Sequence, residues 1–460
     1  MRIYDIRDFG AVADGDGLQT EAIQKAIDAC FQDGGGEVQI PKGTFYTGGI
    51  RIRSDVTLHL LEGARLMGSR NPEEYFHYIN DTLEPLSPEE ITDAPYVPHR
   101  TILGETAYEE NKTEYRYKRL PGSRWNNGLI RAIRAENIAV IGEKDSVIDG
   151  CNCYDALGEG GHRGPHGIAF FDCRNITCKG YTLQNTGNWA HHMLFCDNIK
   201  VENICVLAGH DGLDVAVCNN ITIRNSEFYT GDDCIAGFGN CNVLVQNCVL
   251  NSSCSAFRFG GTNVLIEKTK IYGPGKYCYR GDLSQEEKKN GVMASTEKCR
   301  NEMLSAFTYY ADYSVPIPVQ PGNIVMQDCE IENAQRFLHF NYSGNEAWQK
   351  HRPLESITFR NVSATGVAMP IMMYGDKDVP VSVCLENVKL SIREGKEDID
   401  LVRAGNFKCL ELKNVSVKNY RGEDGIKIWT DGNIVIENTD FDGKEATITK
   451  ATEPFYSGTV

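Results

Sequence analysis

The chain has 460 residues, a formal net charge of −16 and 24% charged residues, a composition ordinary for a globular protein. It contains no apolar run of the roughly 18 residues that a membrane-spanning helix needs. The acidic balance excludes nucleic acid and anionic membranes as expected partners, because both demand basic patches.

The opening segment, "MRIYDIRDFGAVADGDG", has neither an apolar h-region nor a small-residue cleavage site. A cytoplasmic location is therefore the expectation. The 17 cysteines are odd in number, lack a secretory context and form no paired CxxC motifs, so they read as free thiols rather than disulfides or a metal site. Residues 18 to 30, "LQTEAIQKAIDAC", predict a helix. Thr20 is placed to cap it, and Ile23, Ala26, Ile27 and Cys30 make one apolar face. Residues 34 to 66 read as three short strands separated by Gly, Pro and Asp turns. From 70 to 128 the chain becomes a polar, aromatic insertion that includes Trp125.

A repeat then takes over. Asn-(Ile/Val) pairs stand at Asn175, Asn198, Asn220, Asn242 and Asn263, 21 to 23 residues apart, and later copies are read at Asn323, Asn361, Asn387, Asn414 and Asn433. A period of this length, built from short β-rich runs such as "NITIRNSEFY", is the mark of a solenoid. Since a solenoid grows in one dimension, a single domain over 1 to 460 is expected, with the 18 to 30 helix capping its open end. A second lapse of the repeat, from 273 to 322, carries Tyr279, Tyr309 and Tyr310. Long insertions in a regular scaffold usually decorate one face and often carry binding, so both lapses are expected over the cleft.

Stacked rungs lie about 4.8 Å apart, and residues one period apart become neighbours. Register set by Cys196, Cys218 and Asn220 places Trp189 beside Asp211 and Asp233, and His192 beside Asp214, Ala236 and Arg258. Cys173, Cys196 and Cys218 should stack as a buried column. Asp232 adjoins Asp233, so three carboxyl groups are expected on one patch. Like charges at that distance push one pKa up, leaving a proton donor beside a charged base. Hydrolysis of a glycosidic bond requires this division of labour. A Ca²⁺ site is the alternative use of such a cluster.

The segments "DGLDVAVCNNITIRNSEFYTGDDCIAGFGN", "DFGAVADGDGLQTEAIQKAIDAC" and "NTGNWAHHM" resemble glycoside hydrolase family 28, the polygalacturonase family. That resemblance implies an all-β chain folded as a single-stranded, right-handed parallel β-helix. It implies hydrolysis of pectic polymers with inversion and without a metal or other cofactor. Carried over residue by residue, Asp232 would be the general acid, with Asp211 and Asp233 as the bases. The departures are specific. Gly209-His210-Asp211 stands where the family has Asn-Thr-Asp, and Phe238 where it carries a Lys. Cys254-Ser255-Ala256 replaces its Gly-His-Gly, and no Arg-Ile-Lys strand is present. Losing these cations weakens recognition of sugar carboxylates, so an oligosaccharide with altered uronate recognition is expected.

Substrate-binding candidates are Trp189, His191, His192, His210, Asp214, Arg258, Tyr309 and His339, with Arg336 near the last. Trp189 is a sugar platform or a core residue. Only one of His191 and His192 should face the cleft, because adjacent strand residues point to opposite sides. Arg258 is a replacement cation or an ion-pair partner of Asp214. Aromatic insertions closing one end would favour exo action on short oligosaccharides. A β-helix lyase or sugar epimerase, and a non-catalytic carbohydrate-binding β-helix, remain open; oligomeric state is not fixed.

Overall fold

A computed structural model describes residues 2–75, 127–311, 320–342 and 352–452. Its described residues form a right-handed parallel β-helix. Two strands of every coil, such as His166–Phe171 and Arg174–Lys179, join one 25-stranded sheet, and the third face is a 13-stranded sheet. Strands pair in an unbroken parallel series from Ile3 to Lys450. In each strand, inward residues such as Ile199, Val201, Ile221 and Ile223 are fully or almost fully buried, and their neighbours face out. Burial on the inner side of every rung makes one core running the length of the coil, which a period-2 pattern repeated at a fixed interval requires.

The turns explain why asparagine marks the repeat. Asn175, Asn198, Asn220, Asn242 and Asn263 all have φ between 56° and 57°, a left-handed conformation that asparagine tolerates better than other side-chain-bearing residues. Each amide then donates to the one on the rung before, for instance Asn220 Nδ2 to Asn198 Oδ1 at 3.1 Å. Asn323 continues this column. Asn361, Asn387 and Asn414 do not; their ladder begins at Asp328 and occupies the next corner of the coil, where Asn225 and Asn247 also stand. Asn433 returns to the strand position of Cys409. Both corners demand positive φ, so an Asn-Val pair in sequence does not say which corner it occupies.

The cap helix spans Thr20–Gln32 with Ile23, Ala26, Ile27 and Cys30 buried as expected. Thr20 is its first residue rather than its cap, and its hydroxyl accepts from the Gly48 backbone instead. The segment expected as three strands makes five between Gly36 and Gly68. All 17 cysteines are free. Cys173, Cys196 and Cys218 form the expected column, each Sγ donating to the carbonyl two residues before it at 3.2 to 3.4 Å.

The second insertion ends sooner than its sequence suggests. After Arg280–Asp282 and the short helix Gln285–Lys289, Ser305–Tyr309 re-enters the sheet beside Ser255–Glu267. Most of the first insertion, Trp125 included, lies outside the described residues. Among the described residues no helix is long and apolar enough to cross a membrane.

Candidate active site

Four successive rungs turn the same corner, and the carboxylates sit at that corner. Ala190 N donates to Asp211 O at 2.8 Å and Gly212 N to Asp233 O at 2.9 Å, while Cys234 N reaches Ser255 O at 3.0 Å. The register that the 22-residue step predicts is therefore present. Further along, His192, Asp214, Ala236, Arg258, Thr308 and His339 fall in one lateral row.

Two hydroxyls fix the turn that holds Asp232. Thr230 Oγ1 and Ser252 Oγ donate to the Asp232 carbonyl at 2.7 and 2.6 Å. Within the corner, Asp233 N donates to Asp211 Oδ1 at 3.2 Å, and Ser255 N to Asp233 Oδ1 at 3.1 Å. The second oxygen of Asp233 has no hydrogen bond, and Arg258 Nη1 stands 3.8 Å from it. Asp211 and Asp233 are buried, whereas Asp232 is half-buried and faces the groove.

Burial is the first cause that raises the Asp211 pKa, well above the usual carboxylate range, and the neighbouring Asp232 and Asp233 charges add to it. Asp233 is pushed up to about 6 by burial and by Asp232, with Arg258 opposing. Such a cluster titrates as a unit and holds a proton that isolated aspartates would have lost. Asp232, Asp233 and Cys254 also bring three potential ligand atoms within 4.8 Å of one another. The Cys254 thiol is pushed well above its ordinary value by burial and by Asp233.

Around this corner runs a groove lined by Glu159, Arg163, Trp189, Asp214, Arg258, Tyr279, Arg300 and Tyr310, with Asp211 and Asp232 at its floor. One wall is the hairpin-like segment Tyr154–Arg163, where Arg163 pairs with Glu159 at 3.3 Å. Beside it is the 273–304 insertion, whose helix Gln285–Lys289 packs against Tyr154–Glu159 and which docks through Arg280 N on Gly209 O at 3.0 Å and Leu304 N on Cys254 O at 2.7 Å. Its approach is so close that a Cβ at Gly231 would lie 2.1 Å from Cys278 O.

Of the sequence-predicted residues, Asp211, Asp232, Asp214, Trp189 and Arg258 meet in the groove. His192 accompanies them: its Nδ1 lies 3.1 Å from Asp214 Oδ1, and its ring packs on Trp189 and His166. His191, by contrast, is fully buried, its ring nitrogens satisfied by Tyr181 OH at 2.8 Å and Gly212 O at 3.0 Å. Burial lowers its pKa to about 4, and strand alternation is the reason it cannot share the cleft with His192.

Three other candidates are also away from the groove. His210 is enclosed behind the corner, where burial and the charges of Arg163 and Arg280 hold its pKa well below normal. Tyr309 points into the core against Phe340, because Ser305–Tyr309 is a strand and not a loop; Tyr310, one residue on, faces the groove instead. His339 is fully buried two rungs beyond Arg258, and Arg336 shares its strand and is likewise buried. Sequence reasoning missed Glu159, Arg163, His166 and Arg300. His166 does carry a periodic signal, standing 23 residues before Trp189 in the register that pairs Ile168 with His191; the other three lie in segments whose course the repeat does not fix.

Residues 106–256 match the model of the family described as glycosyl hydrolases family 28. An exo-poly-α-D-galacturonosidase of Dickeya chrysanthemi is 29% identical over 266 residues, 52% of this chain and 42% of that protein. A probable polygalacturonase of Vitis vinifera is 24% identical over 50% of this chain and 43% of its own length. The chain thus spans less than half the length of these two curated relatives. The crystal structure of a hyperthermoactive exopolygalacturonase from Thermotoga maritima superimposes with a TM-score of 0.62 at 17% identity, covering 96% of this chain and 92% of that one.

Proposed function

We propose that this chain, which belongs to glycosyl hydrolases family 28, is an exo-acting, inverting glycoside hydrolase that cleaves a pectin-derived oligosaccharide. The observation that carries the reading is the corner itself: two adjacent rungs bring Asp211, Asp232 and Asp233 together, two buried and one half-buried toward the groove. Of the three, Asp232 is the carboxyl group most open to a sugar in the groove. It donates its proton to the departing glycosidic oxygen as the bond to the anomeric carbon breaks. Asp211 and Asp233 take up a proton from the water that forms the new bond on the opposite face, as an inverting hydrolysis requires. Raised pKa values at the two buried groups support a cluster that keeps one proton available near neutral pH.

The segments Tyr154–Arg163 and 273–304, which pack together at the groove, support exo action, because a long polymer needs an open-ended groove. By the family resemblance, Ser255 and Phe238 stand where cations are expected, which supports uronate recognition by other residues. The test is product analysis: oligogalacturonides incubated with the protein should yield the inverted anomer by proton NMR, one residue or one disaccharide at a time. Asp232→Asn should lower the rate by about 10²- to 10⁴-fold with little change in thermal stability. Unsaturated product or inhibition by a chelator would instead mark a lyase, and binding without turnover a carbohydrate-binding module.

A further inference from the structure

The groove holds three arginines, and two of them are engaged. Arg163 is paired with Glu159 at 3.3 Å, and Arg258 stands 3.8 Å from Asp233 with its guanidinium 4.6 Å from the centre of the Tyr310 ring. Arg300 differs. Its guanidinium lies 4.7 Å from the centre of the Tyr279 ring, and among the described residues no carboxylate comes within ion-pair distance of it. Its Nε is buried without a hydrogen-bond partner. Neighbouring acids are spent elsewhere: Asp282 Oδ2 accepts from the Arg300 backbone N at 2.8 Å, and Glu302 accepts from Gln335 Nε2.

The placement of this side chain is built, not incidental. Tyr279 N donates to Arg300 O at 3.0 Å, so the two residues lie on adjacent segments of the insertion and the ring supports the guanidinium. Leu304 N then ties the segment to Cys254 O, on the rung next to Asp233. Both side chains line the same groove as Asp232. A guanidinium held over an aromatic ring, with no carboxylate at its edge, presents a planar donor fork that fits a carboxylate. Desolvating that edge without a partner costs free energy, which an anionic ligand would recover.

We infer that Arg300, supported by Tyr279, is the specificity-determining cation that reads the carboxylate of an acidic sugar in this groove. The inference deepens the hydrolase reading and rests on it for the identity of the groove. Arg300 lies outside the 106–256 segment that matches the family, so the insertion supplies what the coil positions of Phe238 and Ser255 do not.

Calorimetry on the full chain carrying Asp232→Asn tests it with two probes, trigalacturonate and the neutral α-1,4-linked galactotriose. Adding Arg300→Gln should weaken trigalacturonate by about tenfold to a hundredfold, the range for one or two charge-assisted hydrogen bonds, and change the neutral probe by less than about twofold. Tyr279→Leu should reproduce part of the loss and Tyr279→Phe little of it. Equal weakening of both probes, no weakening of either, or no binding of trigalacturonate by the Asp232→Asn parent would overturn the proposal. Product analysis of the unsubstituted protein and of Arg300→Gln alone separates the two readings. Arg300-dependent binding without cleavage sinks the hydrolase alone, and cleavage indifferent to Arg300 sinks the inference alone.

Discussion

Replacing Asp233 by Asn should stabilise the fold while removing activity, and the pH at which it does so follows from the burial of this group. Asp233 is fully buried, and its pKa rises from 3.8 to about 6. A carboxyl group whose pKa is higher in the folded than in the unfolded chain favours folding below the unfolded value. That contribution is lost as pH rises through the folded value. The difference corresponds to about 3 kcal/mol, incurred between roughly pH 4 and 6 and complete above. Asn cannot ionise, and its oxygen can still accept from Ser255 N, so the variant avoids this cost. For a chain of this length unfolding as one unit, the unfolding entropy is about 1 kcal/mol per degree. The expected gain is therefore about 3 °C in Tm at pH 8, larger if only some coils unfold together. At pH 3.5 the gain should vanish. Thermal scans of both proteins from pH 3.5 to 8, beside rate measurements, check this. A Tm difference independent of pH, or a variant less stable at pH 8, would refute the argument that burial of like charges at this corner is being held against the fold.

Arg258→Met removes the cation that opposes the raised pKa of Asp233. The base then ionises at higher pH, so the acidic limb of the kcat/KM profile should move upward; an unmoved limb would show that Arg258 does not act through Asp233. Gly231→Ala places a Cβ 2.1 Å from Cys278 O and should push the 273–304 wall away, seen as protease cleavage within that segment and a rise in KM. Asn220→Ala forces alanine to φ 56° and breaks the amide contacts to Asn198 and Asn242. Denaturant unfolding should show a loss of about 1 to 3 kcal/mol, with the rate per folded molecule unchanged.

Much of this molecule was written in its periodicity. An interval near 22 residues, marked by an amide that tolerates positive φ, dictates a coil. The same interval places Asp211 beside Asp233, His192 beside Asp214 and Ala236 beside Arg258, because parallel rungs leave no freedom once one contact is set. The inward column of Cys173, Cys196 and Cys218 follows from the same rule. Where two positions satisfied one local demand, sequence was ambiguous. Asn361 and Asn220 both need a left-handed turn, yet they occupy different corners.

Tertiary structure alone decided the rest. Ser305–Tyr309 returns to the sheet after a long excursion, and that return sends Tyr309 into the core and Tyr310 to the groove. No repeat fixes the path of Tyr154–Arg163 or of the 273–304 insertion; each rests where its own turns and its contacts with the coil hold it. These segments bring Glu159, Arg163, Tyr279 and Arg300 to the carboxylates from distant parts of the chain. Local periodicity therefore determines the floor of the groove, and long-range packing determines its walls and its cations.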